Sequence, residues 1–148
     1  NLSMNKTVIN KIKDIVDIVQ DGADGYHSLA KSVENRDIKT VFLRLAQQRK
    51  MFVEELKYEC LVQGVELNVT GTVKGYFHRI LIEIQSIVKS NSDLIDLAIY
   101  GENTAIEVYE STITLEVPQF LREKLRNQLG LIKGAIQQLT HFKTLEEA

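Results

Sequence analysis

Apolar residues recur in threes and fours along four long stretches of this chain, and that rhythm limits the fold more than any other feature. The first stripe reads Val8, Ile12, Ile15, Val19, Gly22, Tyr26, Leu29, Val33. Residues at that spacing share one face of a helix, so the spacing predicts an amphipathic helix from about Asn5 to Glu34. Asn35-Arg36-Asp37 breaks it, and Asp37 is the expected cap of the next helix. The second stripe runs Ile38, Val41, Leu45, Gln48 or Arg49, Phe52, Leu56, Glu59 or Cys60, with Gly64 as the stop. The third helix is centred on Ile95 to Ile113, with Ile95, Ala98, Ile99, Glu102, Ile106, Tyr109 and Ile113 inward and Ser92 or Asp93 as its cap. Pro118 suits the first turn of the fourth, where its missing N–H costs nothing. That helix is expected to run to about Lys143, burying Leu121, Leu125, Gln128, Ile132, Ala135, Leu139 and Phe142.

The rest of the sequence agrees with helices. It holds one proline and eight glycines in 148 residues, and no strand pattern competes. A chain of this length suits one domain. Its apolar fraction of 44% is enough for a sizeable core. A shorter amphipathic segment, Thr72 to Lys89, lies between the second and third helices. Tight turns would make antiparallel hairpins of helices one and two and of helices three and four. The middle segment would then span the bundle as the single long crossover of a ferritin-like fold does. The expected class is all-α, an antiparallel four-helix bundle with an extra crossover helix. An up-down-up-down bundle with a small side helix is the alternative.

Several function classes find no support. A net charge of −2 gives no basic surface for nucleic acid and no polybasic membrane patch. No apolar run approaches the roughly 20 residues of a membrane span. Cys60 is the lone cysteine, so no internal disulfide forms, which fits a reducing, cytoplasmic location. No Gly-rich phosphate loop and no nucleophile elbow is present. Asp21-Gly22-Ala23-Asp24-Gly25 lacks the later ligands of a calcium loop and reads as helix interior. His78-Arg79 beside Lys74 reads as a solvated basic face.

The middles of the four stripes line up, and each carries an anomaly. These are Gly22 on helix one, Gln48 and Arg49 on helix two, Glu102 on helix three and Gln128 on helix four. A buried lone charge is strongly unfavourable, so Glu102 needs a partner, and Arg49 is the natural one through a two-pronged contact. Tyr26 and Tyr109 could turn their hydroxyls to the same polar layer. One reading is a satisfied network that fixes helix register. The other is a metal or small-ligand site at the bundle centre. The metal set on offer is Asp21, Asp24, His27 and Glu102, for iron or manganese. The usual di-iron arrangement of Glu-x-x-His pairs is missing, because Gly75 and Gln138 stand three residues before His78 and His141. Amides are poor substitutes for its carboxylates.

Three motifs together resemble a known family. They are Asp21-Gly22-x-x-Gly25-Tyr26, Phe42 followed by Ala46-x-x-Arg49-x-x-Phe52-x-x-Glu55-Leu56, and Gly101-Glu102 followed by Ala105 and Tyr109. The family is a bacterial, ferritin-like four-helix-bundle family catalogued as a domain of unknown function. The resemblance implies the bundle and no particular activity. A histidine common in the middle of the family's fourth helix is replaced here by Ile136. The resulting expectation is a structural or stress-associated binding module with a polar core layer and no cofactor. A degenerate di-metal oxidase or store is the alternative, and a homo-oligomer is the assembly kept open.

Overall fold

Helix α1, Lys6–Ser32, begins where the side chain of Asn5 accepts the Val8 N–H at 2.8 Å. That bond satisfies one of the donors every helix start leaves open. The structure, a computed structural model, describes residues 4–68, 82 and 90–148. Helix α2 is Arg36–Val62, α3 is Asn91–Ile113 and α4 is Gln119–Glu147. No strand occurs among the described residues. None of the described helices is long and apolar enough to cross a membrane. The expected crossover helix, Thr72 to Lys89, and with it His78 and Arg79, lies outside the described residues except for Ile82.

The caps differ from expectation by a few residues, each for a local reason. Asn35, not Asp37, caps α2: its carboxamide oxygen accepts the N–H groups of Asp37 and Ile38 at 2.9 and 3.0 Å. Asp37 instead sits in the first turn, where its charge favours the positive helix end. Ser90 rather than Ser92 or Asp93 caps α3, accepting the Asp93 N–H at 3.1 Å. Pro118 stands at the cap of α4, and the helix begins one residue later. The far end of α4 runs past Lys143, which pairs with Asp96 of α3 at 2.6 Å and reaches Glu147 one turn on at 3.7 Å. Gly64 ends α2 as expected. It takes a positive φ of 79° while the Gly64 and Val65 N–H groups close onto Leu61 and Cys60, a conformation that strains any residue with a Cβ.

Packing follows the stripes closely. α1 lies against α2, α3 against α4, α1 against α3, and α2 more lightly against α4. On α3 the buried face is turned by one residue. Glu102, Ala105, Tyr109 and Thr112 are buried, while Ile99, Ile106 and Ile113 flank them half-exposed. Those four are spaced three, four and three apart, so they form one true helical row. Phe142 is likewise only half-buried.

The buried apolar side chains described form two clusters. One gathers Val8 to Val19 of α1 with Phe52 to Cys60, Ala105, Tyr109 and Leu121 to Ile132. The other gathers Tyr26 to Val33 with Ile38 to Ala46, Leu94 to Ala98, Ala135 and Leu139. Arg49 falls between the two along α2, and Glu102 does so along α3.

At one end, Asn91 of α3 ties the turn between α1 and α2 to α4. Its carboxamide oxygen accepts the Glu34 N–H at 3.2 Å, and its amide nitrogen donates to Glu146 near the end of α4.

Candidate functional site

Arg49 and Glu102 each lie on the inward row of their helix, so the fold brings them face to face between α2 and α3. They are 2% and 3% exposed, which makes this a sealed ion pair. The guanidinium takes the carboxylate with both prongs. Nη1 donates to Oε1, and Nη2 donates to Oε2 at 2.7 Å. Nε donates to the half-buried Gln48 at 3.4 Å. The guanidinium carbon lies 5.7 Å from the centre of the Tyr26 ring and 5.5 Å from that of Phe52, within range of cation–π attraction. Burial opposes the charge on Arg49, but the Glu102 carboxylate outweighs it and holds the guanidinium above its ordinary pKa.

A second polar crossing adjoins the first. The Tyr109 hydroxyl donates to Gln128 at 2.7 Å. The Gln128 amide then donates to the Phe52 carbonyl at 3.3 Å and to Glu55 at 3.1 Å. Lys124 donates to the other oxygen of Glu55 at 3.4 Å. This chain links α3, α4 and α2 and leads outward, since Glu55 and Lys124 are 34% and 28% exposed. The single polar layer expected from the stripes is therefore two neighbouring crossings, one ionic and one amide-based.

Tyr26 stands beside the ionic crossing. Its ring packs on Phe42 at 5.7 Å. Its hydroxyl is buried beside Glu102, which acts on it both as a charge and as a hydrogen-bond acceptor. Burial, reinforced by the Glu102 charge, raises the phenol well above the usual tyrosine range. Burial does the same to Tyr109 and pushes the Cys60 thiol up to about 11. These three groups stay protonated at neutral pH, so none is an activated nucleophile or base.

Tyr26 also lines a partly open pocket of about 40 Å³ between α1 and α3. The two helices leave room there because Gly22 and Gly25 face Gly101, and a Cβ built on Gly22 meets nothing within 4 Å. The glycines of the Asp21–Gly25 run thus open a space.

The side chains offered as metal ligands differ in burial and in partners. His27 is exposed, Asp21 is buried, Asp24 is half-buried and accepts from Gln20 at 3.3 Å, and Glu102 holds Arg49. Among the described residues, no three His, Cys, Asp or Glu side chains are grouped so that they could hold a metal ion. Sequence reasoning missed three features. The Phe52 carbonyl acts through backbone, which no side-chain pattern reveals. Asp17 is buried although it lies off the α1 stripe. Glu55 stands in the helix-two motif, but nothing in its spacing marked it as the outlet of the Gln128 chain.

The sequence profile of a family described as Domain of unknown function (DUF2383) matches residues 7–115. The matched span covers nearly all of α1, with α2 and α3, and so holds both ends of the ionic crossing. No curated protein matches the chain.

Proposed function

We propose that this chain, which belongs to the DUF2383 family, is a non-catalytic helical module of ferritin-like arrangement whose inward ion pair is structural. The observation that carries the reading is the Arg49–Glu102 contact. Both carboxylate oxygens are engaged by one guanidinium, so the charge of the inward acid is matched within the protein without a metal. The ferritin-like arrangement draws support from the helix ends. The Glu34–Asn91 bond sets the start of α2 and the start of α3 at the same end, so these helices run the same way. Parallel second and third helices are what the single long crossover of ferritin-like folds produces, which supports that arrangement.

The test is elemental analysis of protein purified without chelator. The module reading expects no stoichiometric transition metal. Stoichiometric iron or manganese, lost on Glu102→Gln, overturns it in favour of a di-metal carboxylate protein.

A further inference from the structure

A helix that serves one core needs one apolar face, and α2 carries two. Its inward side holds Arg49 and the core residues. Away from that side stand Leu43, Met51, Tyr58, Leu61 and Val62, 44–65% exposed. At about 100° per residue they fall within an arc of about 100°, centred opposite Arg49. That is the width of a stripe built to face a core. On α4, Leu131 stands between Lys124 and Gln138, whose side chains bond Glu55 and Arg44 of α2, so the exposed Leu131 widens the same face. Among the described residues, α1 exposes no large hydrophobic side chain of this kind. We propose that this face binds a second copy of the chain, with the two α2 helices antiparallel and meeting at the level of Phe52.

The order of residues along the face selects a copy of itself. Leu43 and Leu61 stand equally far from Phe52 along the helix, and so do Lys50 and Glu54. All four lie on one flank of the exposed face, and same-flank positions meet when two such helices run antiparallel. A two-fold axis across α2 at that level therefore sets Leu43 against Leu61 of the second copy and Lys50 against Glu54 of the second copy. Symmetry then makes each contact twice. Met51 falls beside the axis, with Tyr58 and Val62 on the other flank. A parallel pair would instead set lysine against lysine and glutamate against glutamate, and like charges across an interface oppose it. The antiparallel pair also aligns the two helix dipoles favourably, each positive end beside the other's negative end. Other occupants match less well. Lys50, Glu54, Lys57 and Glu59 alternate in sign along the face, so neither a nucleic acid nor an anionic lipid surface meets a field of one sign there.

Sedimentation equilibrium of the full chain, from about 1 μM to about 1 mM, tests this. One helix from each copy gives a contact at the small end of specific interfaces, about 1,200 Å² in total, so a dimer that dissociates in the micromolar range is expected. Met51→Glu, at an exposed position, should weaken the dimer at least about tenfold while circular dichroism shows the helices kept. Lys50→Glu and Glu54→Lys should each weaken it about three- to tenfold, and the double exchange should restore it. The two single variants change the net charge in opposite directions, so general repulsion between copies does not account for a loss in both. A chain that stays monomeric at about 1 mM overturns the proposal. So does a dimer that Met51→Glu leaves unchanged, or one that the double exchange fails to restore.

Discussion

The two polar crossings share a core and differ in how they are sealed. Arg49 and Glu102 are 2% and 3% exposed and depend almost wholly on each other. Tyr109 and Gln128 are as deeply buried, but their chain ends on Glu55 and Lys124 at the edge of the bundle. A sealed ionic crossing has nowhere to send a stranded charge. An amide crossing with an outlet can trade a lost partner for solvent. Burial alone therefore does not set the cost of breaking a polar contact. What sets it is whether the remaining partner is charged and whether it has a second place to go.

The largest expected effect is at the sealed pair. Glu102→Leu and Arg49→Met should each lower stability by about 3–5 kcal/mol, because each leaves one ion buried. The double variant should lose much less than the sum, and thermal melts of the set measure the coupling. Additive losses break the comparison, since they mean that the two groups do not depend on each other. Next comes the amide crossing. Gln128→Leu should cost about 1–3 kcal/mol, and pairing it with Tyr109→Phe should add little further loss. A cost equal to that at Glu102 would show that the outlet through Glu55 confers no tolerance.

The smallest effect concerns pH and sets Cys60, on the apolar side of the amide crossing, apart from both. Its folded pKa of about 11 lies above the ordinary value of 9.0, so the folded state holds the proton more tightly. Its contribution to stability is complete below pH 9.0 and is lost as pH rises toward about 11. The raised phenols of Tyr26 and Tyr109 act in the same direction above their ordinary value of 10.0. Denaturation midpoints should therefore fall through this alkaline window, and Cys60→Ala should remove the earliest part of the fall. A slope unchanged in that variant would assign the whole loss to the tyrosines beside the two crossings.

Much of this was legible in the sequence. The stripes located the four helices of the described residues because an amphipathic face needs only period and polarity. The Arg49–Glu102 pair followed from two opposite charges on inward rows with no room for either alone. Tyr109 and Gln128 were legible as inward polar groups, but not as each other's partners. Their pairing depends on the one-residue turn of α3 that favours Ala105 and Thr112 over Ile106 and Ile113. Hydrophobicity alone would choose the isoleucines. The caps at Asn35 and Ser90 were missed by two to three residues, because neighbouring polar side chains compete for the same amides. The pocket was invisible for another reason. A glycine reads the same whether it admits a neighbour or leaves a gap.

The two-pronged grip of Arg49 on Glu102 also fixes the alignment of α2 and α3. Sliding one helix along the other by a single turn moves a side chain about 5.4 Å. That step would carry the acid out of the guanidinium fork and into oily surroundings on either side. Leucine ridges tolerate such slippage, because one methyl group serves nearly as well as the next. A lone ionic tooth between two greasy compartments does not, so the bundle meshes at a single notch.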